Sequence, residues 1–82
     1  MGHKVSLSGT LRSAANEQDV VEVEADTIRE LLTRLVDRFP LMQQHLDEGI
    51  AVSIDGQIYR DNWGTPIPDG SEVFLLPRIP GG

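Results

Sequence analysis

The sequence of 82 residues contains no cysteine. That excludes a disulfide framework, a thiolate metal site and a cysteine nucleophile, and it points to a reducing compartment, the cytoplasm. Positive charge is scarce: seven Lys and Arg stand against thirteen Asp and Glu, a net charge of -6. Such a balance opposes contact with a phosphate backbone and favours basic protein partners, so nucleic acid is not an expected ligand. No apolar run approaches the roughly 18 residues that cross a bilayer, and the opening segment MGHKVSLSG lacks the apolar stretch of a secretory signal. Neither export nor membrane insertion is expected.

Catalytic constellations are missing as well. His3 and His45 fit no metal-ligand spacing, and each is expected at the surface. No Ser, Thr or Tyr stands near a histidine base, so no catalytic residue and no bound cofactor or metal is predicted. The acidic positions Asp19, Glu22, Glu24 and Asp26 suit a solvated strand edge better than a paired-carboxylate site. Gly64-Thr65-Pro66 opens no helix and is no nucleotide loop. One domain of this size buries only about 60% of its unfolded surface, which leaves no room for a deep catalytic cavity.

What is present is a sequence of well-marked elements. Val5, Leu7, Gly9 and Leu11 alternate with Ser6, Ser8 and Thr10, which predicts a first strand with one core face. The polar stretch RSAANEQD then predicts a hairpin into VVEVE, with Val21 and Val23 inward and Glu22 and Glu24 outward. From Thr27 the period becomes helical: Ile28, Leu31, Leu32, Leu35, Val36 and Phe39 form one stripe, capped by Asp26 or Thr27 with Glu30 and stopped by Pro40. LMQQHLDEG predicts a turn or one loose helical turn that tucks Leu41, Met42 and Leu46 under the sheet.

Asp55-Gly56 between IAVSI and QIY is a strong two-residue hairpin signal, because a type I′ turn needs positive φ at both positions. Its register sets Ile54 opposite Gln57 and Ser53 opposite Ile58, so Tyr59 follows Val52 and Ile54 inward while Ile58 faces solvent. RDNWGTPIPDGS reads as a loop closed by a turn at Pro68-Asp69-Gly70, with Trp63 plugging the loop against the core. In the last strand, EVFLLP, the parity of Glu72 puts Phe74 and Leu76 outward and Val73 and Leu75 against the helix. The order strand, strand, helix, strand, strand, loop, strand gives an α+β domain of the β-grasp (ubiquitin-like) type: a mixed sheet of about five strands under one main helix.

Residues 1–76 form that domain in this reading, and residues 77–82 form a flexible tail ending in Gly81-Gly82. From Pro77 the tail reaches about 20 Å when extended, enough to enter a partner's active site. Pro80 restricts its own φ and drives Ile79 toward extended geometry, and two glycines admit close backbone approach in a narrow channel. Arg78 can pair with an acidic group of a partner.

The segment DGSEVFLLPRIPGG resembles the C-terminus of the MoaD and ThiS family of ubiquitin-like sulfur carriers, and the resemblance runs the whole length of the chain. In that family an E1-like enzyme adenylates the terminal glycine with ATP, and sulfur transfer converts the adenylate to a thiocarboxylate. The resemblance implies that Gly82 carries first AMP and then sulfur as covalent intermediates, with Gly81 needed for passage. PDGSEVFLLP is closer to the small subunit of molybdopterin synthase, whereas YRDNW is similar to ThiS-like sequences. The implied partners are an E1-like adenylating enzyme of MoeB or ThiF type and either the MoaE-like large subunit of molybdopterin synthase or a thiazole synthase. The resemblance also places the outward Ile58, Phe74 and Leu76 against a partner, with Ser8 beside them. Alternatives are a thiamin-thiazole carrier, a modifier joined to lysine through Gly82, and a plain interaction module.

Overall fold

Alternation along the first two strands sets one wall of the core. The computed structural model describes residues 2–77. β1 (Gly2–Leu7) buries Val5 and Leu7, and β2 (Val20–Glu24), antiparallel to it, buries Val21 and Val23 while Glu22 and Glu24 face out. β1 stops at Leu7 rather than running to Leu11. Gly9 turns the chain at φ 60°, and Leu11 reaches the core from a single helical turn, α1 (Leu11–Ala14). The expected hairpin forms, with β1 and β2 antiparallel, but its connection holds a helical turn and buries Leu11, Ala14 and Ala15 where a polar turn was expected.

His3 corrects a second expectation. It shares the parity of Val5 and Leu7, so the strand carries its ring inward, where only 3% of the residue remains exposed. Its Nε2 donates to the Ala25 carbonyl at 2.9 Å, since a carbonyl can only accept. His45 is half-buried.

The main helix, α2 (Ile28–Arg38), covers the sheet with Ile28, Leu31, Leu32 and Leu35. Its entry is a capping box. Thr27 Oγ1 accepts the Glu30 N–H at 3.2 Å, while Glu30 Oε1 accepts the Asp26 N–H at 2.8 Å. The loop between residues 60 and 72 satisfies two more orphan donors: Ile28 N–H reaches the Thr65 carbonyl at 3.1 Å and Arg29 N–H the Trp63 carbonyl at 2.8 Å. Trp63 itself packs partly buried against the core, as expected.

After Pro40 comes α3 (Met42–Glu48), a helix of two turns rather than one loose turn. Met42 is fully buried and Leu46 partly so, but Leu41 is 68% exposed. The chain restarts at Leu41 as the N-cap, which shifts the core position to the next residue.

β3 (Ile50–Ile54) and β4 (Gln57–Tyr59) form the Asp55-Gly56 hairpin in the expected register, with φ 51° and 88° at the turn. Glu72 N–H binds Asp55 Oδ1 and Asp55 N–H binds the Glu72 carbonyl, both at 2.9 Å, so the turn clasps the entry to β5 (Val73–Pro77). The sheet order is β2-β1-β5-β3-β4, with β5 parallel to β1 and antiparallel to β3. The last strand of the chain is thus the central strand of the sheet. Helices cover one side only, and β5 feeds directly into residues 78–82.

Candidate functional site

Helices on one side of a five-stranded sheet leave the other side bare, and every second residue of each strand faces it. Register then decides which of these side chains meet. Ser6 pairs with Val20 and with Phe74, and Ser53 pairs with Phe74 and with Ile58. A single row, Val20, Ser6, Phe74, Ser53, Ile58, therefore crosses all five strands over about 19 Å at about 4.8 Å per strand. Val20, Phe74 and Ile58 keep 48%, 41% and 51% of their surface exposed.

Phe74 stands at the centre of that row between two serines. Ser6 is half-buried and Ser53 only 8% exposed, so the two small serines lie low in the row between the larger Val20, Phe74 and Ile58. Toward the C-terminal end of β5, Leu76 pairs with Ala51 and both are half-buried. Ser8 is exposed, and its hydroxyl donates to the Leu75 carbonyl at 3.4 Å, which ties it to the same end of β5. Ile58, Phe74, Leu76 and Ser8 thus lie on one side of the sheet. Val73 and Leu75 take the opposite parity and are buried beneath the helices.

Sequence reading missed Val20 and Ala51. Val20 shares the parity of Glu22 and Glu24, so its outward direction was legible; only the β1 register shows that it joins Phe74's row. Arg78, Ile79, Pro80, Gly81 and Gly82, the expected tail residues, lie outside the described residues. Pro77, just before them, belongs to β5 and pairs with Ile50.

Charge frames the row rather than interrupting it. Lys4 and Glu22 are paired on the neighbouring strands, and the Arg38 guanidinium donates to the Glu22 carbonyl on the outer edge of β2. Among the described residues no group of His, Asp or Glu side chains has the arrangement to hold a metal ion. No helix among them is long and apolar enough to cross a membrane. Chemically, the bare face can bind an apolar partner surface, and its central strand hands that surface on to the chain end.

No curated protein matches the sequence. The chain is similar to small archaeal modifier protein 1 of Methanosarcina acetivorans, with 25% identity and a TM-score of 0.79 over 99% of this chain and 96% of that one. It is similar to a putative molybdopterin converting factor subunit 1 of Pyrococcus furiosus at 19% identity, with a TM-score of 0.81 over 96% of this chain and 99% of the other. A chain from the complex of subunits 1 and 2 of the molybdopterin-converting factor of Helicobacter pylori aligns at 23% identity with a TM-score of 0.69, over 100% of both chains. The last two likenesses establish a shared fold. A family model described as the ThiS family matches residues 5–82, from β1 through the diglycine. The chain belongs to the ThiS family, among the small ubiquitin-like sulfur carriers and modifiers.

Proposed function

We propose that this protein is a sulfur carrier whose Gly82 carboxylate is activated by an E1-like enzyme and converted to a thiocarboxylate. The observation that carries the reading is the family match through Gly81-Gly82, at the end of a central strand whose outward side chains are apolar. Phe74, Ile58, Val20 and Leu76 dock the partner, and β5 aims the chain end at the partner's reaction centre. A carboxylate oxygen of Gly82 attacks the α-phosphorus of ATP and pyrophosphate leaves. A hydrosulfide-level sulfur held by the partner then attacks the acyl carbon, and AMP departs with the bonding electrons.

The chain supplies the reacting carboxylate and leaves catalysis of these bond changes to its partner. Its contributions are orientation and access, which convert encounters into a positioned reaction. Arg78 supplies a guanidinium near the root of the arm for an acidic group on the partner. The likeness of PDGSEVFLLP to MoaD-type tails supports delivery of sulfur to molybdopterin synthesis in the cytoplasm, with an enzyme of MoeB type as activator and a MoaE-type large subunit as recipient. Thiazole synthesis is the competing route.

Intact mass after incubation with an E1-like enzyme, ATP and a sulfide source tests the reading. Exchange of one oxygen for sulfur, abolished by deleting Gly82, is the expected result; an unchanged mass overturns it. The 25% identity with an archaeal modifier favours a second reading, in which a target lysine attacks the same acyl-adenylate and forms an isopeptide bond. Adducts in a lysate supplied with ATP, with no thiocarboxylate formed, select that reading.

A further inference from the structure

Hydrogen bonds already made decide which backbone groups of an edge strand stay free. Leu7 N–H donates to the Asp19 carbonyl at 2.8 Å, in register with the β1–β2 pairing, so Asp19, Val21 and Val23 turn their backbone groups toward β1. Val20, Glu22 and Glu24 turn theirs outward, at the end of the sheet order. Arg38 reaches the Glu22 carbonyl from that outer side, in agreement with this parity. Among the described residues the other five N–H and C=O groups of the edge have no hydrogen-bond partner. The opposite edge offers less. Asp55 N–H reaches the Glu72 carbonyl, so by the same alternation Val52 and Ile54 turn toward β4, and within β4 only Ile58 turns its backbone outward.

Side chains along this edge specify what can pair with it. Val20, Glu22 and Glu24 share the bare side of the sheet. Glu24 stands opposite Gly2, which offers it no side chain, and among the described residues neither glutamate has an ion pair. On the other side of the edge, a groove of about 430 Å³ between β2 and α2 leaves room for side chains beside Val23, Arg34 and Arg38. A second copy of the chain is a poor occupant. Antiparallel pairing of two β2 strands about their centres sets Glu22 against Glu22 and Val20 against Glu24, and each copy carries a net charge of -6.

We propose that the outer edge of β2 docks an extended basic segment of a partner protein, which joins the sheet as a sixth strand. The segment runs antiparallel to β2 and carries a basic residue opposite Glu24, a second opposite Glu22 and an apolar residue opposite Val20, each two positions apart. The backbone groups of those three residues meet the free groups of Val20, Glu22 and Glu24. The intervening side chains point to the groove beside α2. A strand suits the site because what it lacks is a row of backbone partners, over about 17 Å for five residues at about 3.4 Å each. The exposed Arg38 holds the Glu22 carbonyl while the edge is empty and yields it to the incoming N–H. The apolar residue opposite Val20 lengthens the row through Ser6 and Phe74 by one strand, so the added segment is continuous with the bare face.

The test titrates the full chain with the synthetic peptide Thr-Lys-Thr-Lys-Thr-Val-Thr, blocked at both ends, and follows amide shifts and hydrogen exchange by NMR. A second peptide has the backbone nitrogen of its central lysine methylated, which keeps the charge and removes the N–H aimed at the Glu22 carbonyl. A third has glutamate for both lysines. The expected result is saturable binding of the first peptide, with exchange at the Val20, Glu22 and Glu24 amides slowed at least tenfold and little change at Val21 and Val23, which already face β1. The methylated and glutamate peptides bind at least fivefold more weakly. Combined Glu22→Lys and Glu24→Lys makes the glutamate peptide the tighter ligand, and Glu24→Lys alone, opposite Gly2, already narrows the preference. Equal binding of the methylated peptide, protection centred on Ile58, or no saturable change overturns the proposal. No ATP or activating enzyme takes part, so the outcome stands apart from the fate of Gly82.

Discussion

Leu75 and Phe74 are chain neighbours on β5, yet Leu75 is fully buried beneath the helices while Phe74 keeps 41% of its surface on the bare side. The same strand therefore serves two tasks with alternate residues. Its inner side chains, Val73 and Leu75, join Val5, Val52, Leu31 and Leu35 in the core that holds the fold together. Its outer side chains, Phe74 and Leu76, contribute little to that core. Stability and recognition are thus divided by strand parity, and each can be altered without the other.

The sharpest test of that division is Leu75→Ala. Removing a fully buried leucine should lower unfolding free energy by about 2–5 kcal/mol, read from the denaturant midpoint. Phe74→Ala should instead reduce affinity for the activating enzyme at least tenfold, about 1.4 kcal/mol or more, while shifting stability by about 1 kcal/mol or less. Titration calorimetry and chemical denaturation of the same variant decide it. If Phe74→Ala unfolds the protein as readily as Leu75→Ala, the separation of the two faces is wrong.

Smaller effects sharpen the contrast. Thr27→Ala removes the side-chain acceptor for the Glu30 N–H and should cost about 1 kcal/mol in thermal or denaturant unfolding, with enzyme affinity unchanged. Val20→Ser, at the end of the outer row, should weaken docking by about 1 kcal/mol or less and leave the unfolding midpoint in place. Loss of affinity at Val20 as large as at Phe74 would move the centre of the docking surface toward β2.

Much of this arrangement is legible in the order of residues. The alternation Glu22, Val23, Glu24 and the run Glu72 to Leu76 assign inner and outer faces because a strand's side-chain period is two, whatever the partners. Asp55-Gly56 names both a turn type and a register, since few residues tolerate positive φ in succession. Where the reading went astray, a residue satisfied two demands at once. Leu11 continues the parity of Val5 and Leu7 but is buried from a helical turn, and His3 follows the same parity inward although its chemistry suggested the surface.

Local periodicity alone determined which side chains of each strand face together and where α2 begins and ends, because sterics and capping act over a few neighbouring residues. Tertiary structure alone decided that β5 lies between β1 and β3, that Val20 and Ile58 flank Phe74 across five strands, and that Arg38 of α2 meets the outer edge of β2. Those meetings join residues far apart in the chain, and only hydrogen-bond pairing and burial of the whole core select them.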